Sequence, residues 1–171
     1  LSLKEKTRIP KIIAVSKTFK LDHIQPLIDY GHLDYGENKV QEAIEKWTDI
    51  KKNNDKIKLH LIGKLQTNKV KFAVKIFDYI HSLDSEKLAK KISEEQKKNN
   101  VKPKIFIQIN LGLESQKSGI VKENLTNFYN LCTKLDDSDN GIDAPIGSFY
   151  GAGRHKQYLL NYSGSVDFST D

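Results

Sequence analysis

A primary amine at the mouth of a buried strand can attack a carbonyl, and Lys17 has that placement. The run Lys11-Ile12-Ile13-Ala14-Val15-Ser16 is apolar, β-branched and too short for an ordinary helix, so it reads as a strand over 11–16. Alternation along a strand puts Ile13, Val15 and Lys17 on one face. With that face turned into a barrel, Lys17 lies at the C-terminal mouth, where parallel α/β folds place their chemistry. Apolar neighbours there would strip its solvation and favour the neutral, nucleophilic amine. The competing reading is a solvated lysine just past a strand, and this chain has many lysines.

The elements that would hold Lys17 alternate in type. After the first strand, Ile24, Leu27 and Ile28 recur at helical spacing over 21–30, with Pro26 awkward inside and Gly31 able to end the helix. A strand over 33–36 leads to Glu37-Asn38 and a helix over 39–51, whose buried stripe is Val40, Ala43, Ile44 and Trp47. Strand 57–62 closes at Gly63, and a helix begins near Thr67. Strand 79–83 is followed by Asp84 or Ser85 as the cap of a helix over 86–98. Strand 104–110 is the most apolar, and 121–135 reads as a helix with Leu125, Phe128 and Leu131 inward. Strands alternating with helices imply βαβ units and a parallel sheet. No glycine-rich dinucleotide fingerprint follows the first strand, and a barrel is preferred to an open sheet.

The totals fit a single domain of 171 residues with 37% hydrophobic and 29% charged content. The net charge of +6 invites a nucleic-acid reading, but the lysines are spread out and accompanied by glutamates, as on a solvated surface. One cysteine, Cys132, excludes an intrachain disulfide and fits a reducing cytoplasm. No apolar run approaches membrane-spanning length, and no signal-peptide pattern opens the chain. After Leu135 the character changes. Residues 141–171 are rich in Gly, Ser and Tyr, and no secondary structure is assigned to them.

Five stretches together resemble one family. They are Ala14-Val15-Ser16-Lys17-Thr18, Tyr35-Gly36-Glu37-Asn38-Lys39-Val40-Gln41-Glu42, the segment from His60 to Lys69, Ile80-His81-Ser82-Leu83-Asp84-Ser85, and Ile107-Gln108-Ile109-Asn110 with the segment Glu114–Gly119. Their order and spacing resemble the pyridoxal phosphate homeostasis proteins. The resemblance implies a TIM-like (β/α) barrel of the alanine racemase N-terminal-domain type, here incomplete, with about five recognisable βα units. Lys17 matches the lysine that forms an imine with pyridoxal 5′-phosphate. Members are described as cofactor carriers or regulators in vitamin B6 and amino-acid balance, with pyridoxal-phosphate-dependent apo-enzymes as recipients.

The likeness weakens toward the end. Residues 160–168 echo the family's L-S-M-G-M-S-x-D pattern, and that alignment sets Ser165 on a phosphate-contacting serine. The later Arg-Ile-Gly segment is absent, so the chain reads as one partial barrel domain, truncated or diverged beyond about residue 135. With those phosphate donors missing, weak cofactor binding is expected.

The cofactor needs an amine, phosphate donors and groups flanking its ring. By the resemblance these are Lys17, Ser165, Asn38 and His60. Asn38 could instead cap a helix, and His60 could be a satisfied core histidine. His81, Ser82 and Asn110 read as supporting groups behind them. A racemase-like enzyme is the alternative. Racemases of this fold use a second base from a separate C-terminal domain, for which this chain has no room.

Overall fold

Residues 11–110 and 118–135 are described by the computed structural model, together with the backbones of 148–150 and 157–159. Five parallel strands follow one another in chain order: β1 (Ala14–Val15), β2 (Asp34–Glu37), β3 (Lys58–Leu61), β4 (Tyr79–Leu83) and β5 (Lys104–Asn110). Four helices connect or follow them: α1 (Leu21–Asp29), α2 (Val40–Asn53), α3 (Val70–Ile76) and α4 (Glu86–Asn99). After β5 come a short strand β6 (Ile120–Val121) against its end and α5 (Leu125–Lys134).

Register sorts the side chains into two layers. Val15 pairs with Gly36, Gly36 with His60, His60 with Tyr79, and Tyr79 with Lys104. Residues level in a parallel sheet share a face, so this row lies on the inner face. The alternate row, with Tyr35, Leu61, Ile80 and Ile105, turns toward the helices and is fully buried among Trp47, Ala73 and Leu88. Burial of each large apolar side chain stabilises by roughly 1.5–3 kcal/mol, so this outer layer carries most of the packing energy.

The expected stripe of α2 is largely borne out: Val40, Ala43 and Trp47 are buried, and Ile44 packs against them half-buried. Ser85 is the N-cap of α4 and accepts from the Leu88 N–H at 3.4 Å. Strands β4 and β5 span the expected residues.

Other expectations need correction. The first strand is two residues long, because its ladder to β2 ends once Ser16 N–H has donated to Gly36 O at 2.9 Å. Pro26 sits within α1 without ending it, and Gly31, with φ of +95°, follows the helix. Helices α3 and α5 each open with a turn of 3-10 helix, at Thr67–Lys69 and Lys122–Asn124. The tail holds secondary structure where none was assigned. Strand β7 (Ser148–Tyr150) adds in parallel to β5, and β8 (Gln157–Leu159) pairs antiparallel with β7. Three-residue strands are too short to display a period, and the glycines and polar residues between them read as loop. No pairing joins β8 to β1 among the described residues.

Candidate functional site

Lys17 lies beyond the end of β1, after Ser16, and its side chain is exposed. Two residues past the Val15–Gly36 pair, Lys17 and Asn38 stand at the same end of adjoining strands. Beneath them the inner face is apolar and closely fitted. A Cβ on Gly36 would meet Ile13 at 3.2 Å and Ile62 at 3.3 Å. Gly63 closes the next strand mouth so tightly that a Cβ there would overlap the Asn38 carbonyl. Asn38 itself is half-buried. Its competing role as helix cap does not hold, since Lys39 is the N-cap of α2 and makes no side-chain cap bond.

The backbone around Lys17 is constrained on both sides. Thr18 has φ of +66°, an unfavourable region for a β-branched residue that costs on the order of 1–3 kcal/mol. Before it, Ser16 is buried and its hydroxyl donates to Glu37 Oε1 at 2.8 Å. The same oxygen accepts from Lys46 Nζ at 2.8 Å and Trp47 Nε1 at 2.9 Å. Lys46 Nζ also donates to the Ser16 carbonyl at 2.8 Å. Sequence reasoning missed this cluster. Its signal was a carboxylate alternating with Tyr35 on the helix-facing side of a buried strand, with Lys46 and Trp47 on the helix that follows.

Lower on the inner face lies a second polar group. His60 Nε2 is 3.0 Å from Asp34 Oδ1, and His60 Nδ1 is 3.0 Å from His81 Nε2. Lys11 Nζ reaches the same Asp34 oxygen at 2.9 Å. His60 stacks on Tyr79 with ring centroids 4.3 Å apart, and His81 stacks on Phe106 at 4.4 Å. Burial lowers the pKa of both histidines, His81 to about 3, with the positive charge of a protonated His60 acting in the same direction on His81. Both rings are therefore neutral near pH 7. The Asp34 carboxylate then takes the His60 Nε2–H, and His60 Nδ1 accepts from His81 Nε2–H.

The structure thus brings Lys17 and Asn38 to one rim and sets His60 and His81 in a buried layer below. Both ring nitrogens of His60 have protein partners. Ser82 is buried in β4, where the register to β5 shifts between Ile80 and Leu83, and Asn110 is buried at the end of β5. Ser165 lies outside the described residues. Lys17 is exposed, so the apolar neighbours expected to strip its solvation do not cover it. Residues 136–147, 151–156 and 160–171 of the tail also lie outside the described residues. An accessible amine, an uncommitted amide and an apolar floor fit the aldehyde and ring of pyridoxal phosphate. No helix among the described residues is long and apolar enough to cross a membrane.

Comparison with known proteins agrees with this fold. A family model described as alanine racemase, N-terminal domain, matches residues 2–142. The pyridoxal phosphate homeostasis protein of Aquifex aeolicus (strain VF5) is 37% identical over 125 residues, covering 73% of this chain and 54% of that one. The solved structure of PipY from Synechococcus elongatus PCC7942 with PLP bound has a TM-score of 0.62 at 33% identity, covering 73% of this chain and 60% of that one. An alanine racemase of Clostridium difficile 630 has a TM-score of 0.57 at 18% identity, covering 72% and 32%, a likeness of fold alone. The chain spans about half the length of the curated relatives it matches.

Proposed function

We propose, since this chain belongs to the pyridoxal phosphate homeostasis proteins of the alanine racemase N-terminal-domain family, that it binds pyridoxal 5′-phosphate covalently through Lys17. The observation that carries the reading is the exposed Lys17 amine at the C-terminal mouth of β1, level with Asn38 over the Ile13–Gly36–Ile62 floor. When bound, the cofactor supplies an aldehyde and an electron-poor ring. Lys17 offers the amine, and the Asn38 amide is placed to hydrogen-bond a ring substituent. His60 supports the floor through its stack on Tyr79, with its nitrogens already engaged. Ser165 is kept as the phosphate contact by resemblance.

The role proposed is that of a cytoplasmic carrier or regulator, one barrel domain handing cofactor to apo-enzymes, without amino-acid turnover. Racemisation needs acid–base groups on both faces of the substrate carbon. Lys17 can serve one face, and no described residue is assigned to the other.

Borohydride reduction of the chain incubated with pyridoxal 5′-phosphate, followed by peptide mapping, tests the reading. Label should concentrate on the peptide containing Lys17 and vanish in Lys17→Ala. Lys17→Arg should also fail, because a guanidinium stays protonated. Labelling that ignores both substitutions overturns the assignment. Sustained deuterium exchange at the α-carbon of an amino acid, lost in Lys17→Ala, would overturn the carrier role.

A further inference from the structure

The Ser16 carbonyl carbon is bonded to the Lys17 nitrogen, and the peptide between them is planar. Whatever fixes the orientation of Ser16 therefore fixes the direction in which the chain presents Lys17. Every polar group of Ser16 is engaged. Its N–H donates to Gly36 O at 2.9 Å, and its hydroxyl to Glu37 Oε1 at 2.8 Å. Its carbonyl accepts from Lys46 Nζ at 2.8 Å and from Phe19 N–H at 3.2 Å. The two side chains doing this are themselves held in place. Glu37 is fully buried, and Lys46 is 12% exposed and paired with it at 2.8 Å.

The distribution of donors is informative. Ser16, Lys46 and Trp47 all converge on Glu37 Oε1, while Oε2 is buried with no hydrogen-bond partner among the described residues. A buried carboxylate serving stability alone is better served by donors on both oxygens. The arrangement here favours contact with Ser16 over satisfaction of the carboxylate. Glu37 also lies on the helix-facing side of β2, opposite to Gly36, so it acts on the rim only through Ser16.

We propose that Glu37, with Lys46, is a positioning residue for the Lys17 amine, acting through the Ser16–Lys17 peptide; this rests on the reading of Lys17 as the cofactor-bearing lysine. The reaction it serves is a condensation. The Lys17 Nζ lone pair attacks the aldehyde carbon, a C=N bond forms, and the aldehyde oxygen leaves as water. Borohydride then delivers hydride to the C=N carbon and fixes the label as a secondary amine.

The experiment uses the 171-residue chain with pyridoxal 5′-phosphate and borohydride. It reads the ratio of label on Lys17 to label on Lys52 and Lys64, whose side chains are 68% and 69% exposed. In the wild type Lys17 should dominate. Glu37→Gln should lower the ratio by roughly ten- to a hundredfold, as misplacement of a reacting group does. Labels on Lys52 and Lys64 should stay unchanged. Ser16→Ala, which removes only the hydroxyl link, should lower the ratio in the same direction and less. An unchanged ratio in Glu37→Gln, with only a lower melting temperature, overturns the inference and leaves Glu37 a structural ion pair. Where Glu37→Gln does not fold, Ser16→Ala decides in the same way. A wild-type chain with no preference for Lys17 overturns the function reading and this inference with it.

Discussion

Strand β2 carries a buried carboxylate at each end, and the two face opposite ways. Asp34 begins the strand on the inner face, and its cation, Lys11, is 58% exposed. Glu37 ends the strand on the helix-facing side, and its cation, Lys46, is mostly buried. Losing Asp34 returns Lys11 to water and strands only the His60 N–H. Losing Glu37 leaves a buried ammonium with one carbonyl partner and a buried indole N–H with none. Identical chemistry on one strand thus differs in consequence, because the depth of the partner decides the cost.

Glu37→Ala should therefore destabilise by about 3–5 kcal/mol, and Asp34→Ala by about 1–3 kcal/mol, measured by urea unfolding. Equal losses would mean that partner depth does not separate the two sites.

Acid should weaken the Asp34 side through its two histidines. Burial depresses the pKa of His60 and His81, so the unfolded chain binds protons that the folded chain refuses. Their contribution to stability is fully present above the unfolded value near 6.5 and is lost as pH falls toward the folded one. One such histidine costs about 2 kcal/mol between pH 7 and pH 5. Unfolding free energy across that range should decline, and His81→Phe, which keeps the stack on Phe106, should flatten the slope. A slope unchanged in His81→Phe would mean that the decline originates elsewhere.

The smallest effect belongs to the turn beside Glu37. Thr18→Gly removes the left-handed penalty but loosens the unfolded chain, for a net gain of less than ~1 kcal/mol. The same change should blunt the preference of label for Lys17. A gain in melting temperature with the preference intact would place the constraint on Lys17 wholly on the Ser16 side.

Much of the fold was legible because its signals are local and repeated. The stripe Val40–Ala43–Trp47 and the run 104–110 each declare their type within one element. The rim was legible for the same reason, since strand periodicity alone carries Lys17 to a strand end. The Glu37 cluster was not, because it joins Ser16, Glu37, Lys46 and Trp47 from three elements. Nothing in the identity of a glutamate says which face of a strand it takes. The inner layer was half visible: His60 and His81 stood out as types, but nothing within the strand over 33–36 marked Asp34 as their partner. Strands β7 and β8 escaped because three residues cannot show alternation.

The order of the sheet has a consequence for how the chain assembles. From β1 to β5 each strand pairs with the one that follows it in sequence. Each new strand finds its template already formed and only one helix away, so loop closure at every step is short and similar in cost. The contact from β5 to β7 breaks this rhythm, bridging Gln108 to Ser148 across a longer stretch. Assembly should run from the amino end in nearly equal steps and slow at that junction. Exchange of amide protons during refolding should protect β2 to β4 first and β7 last.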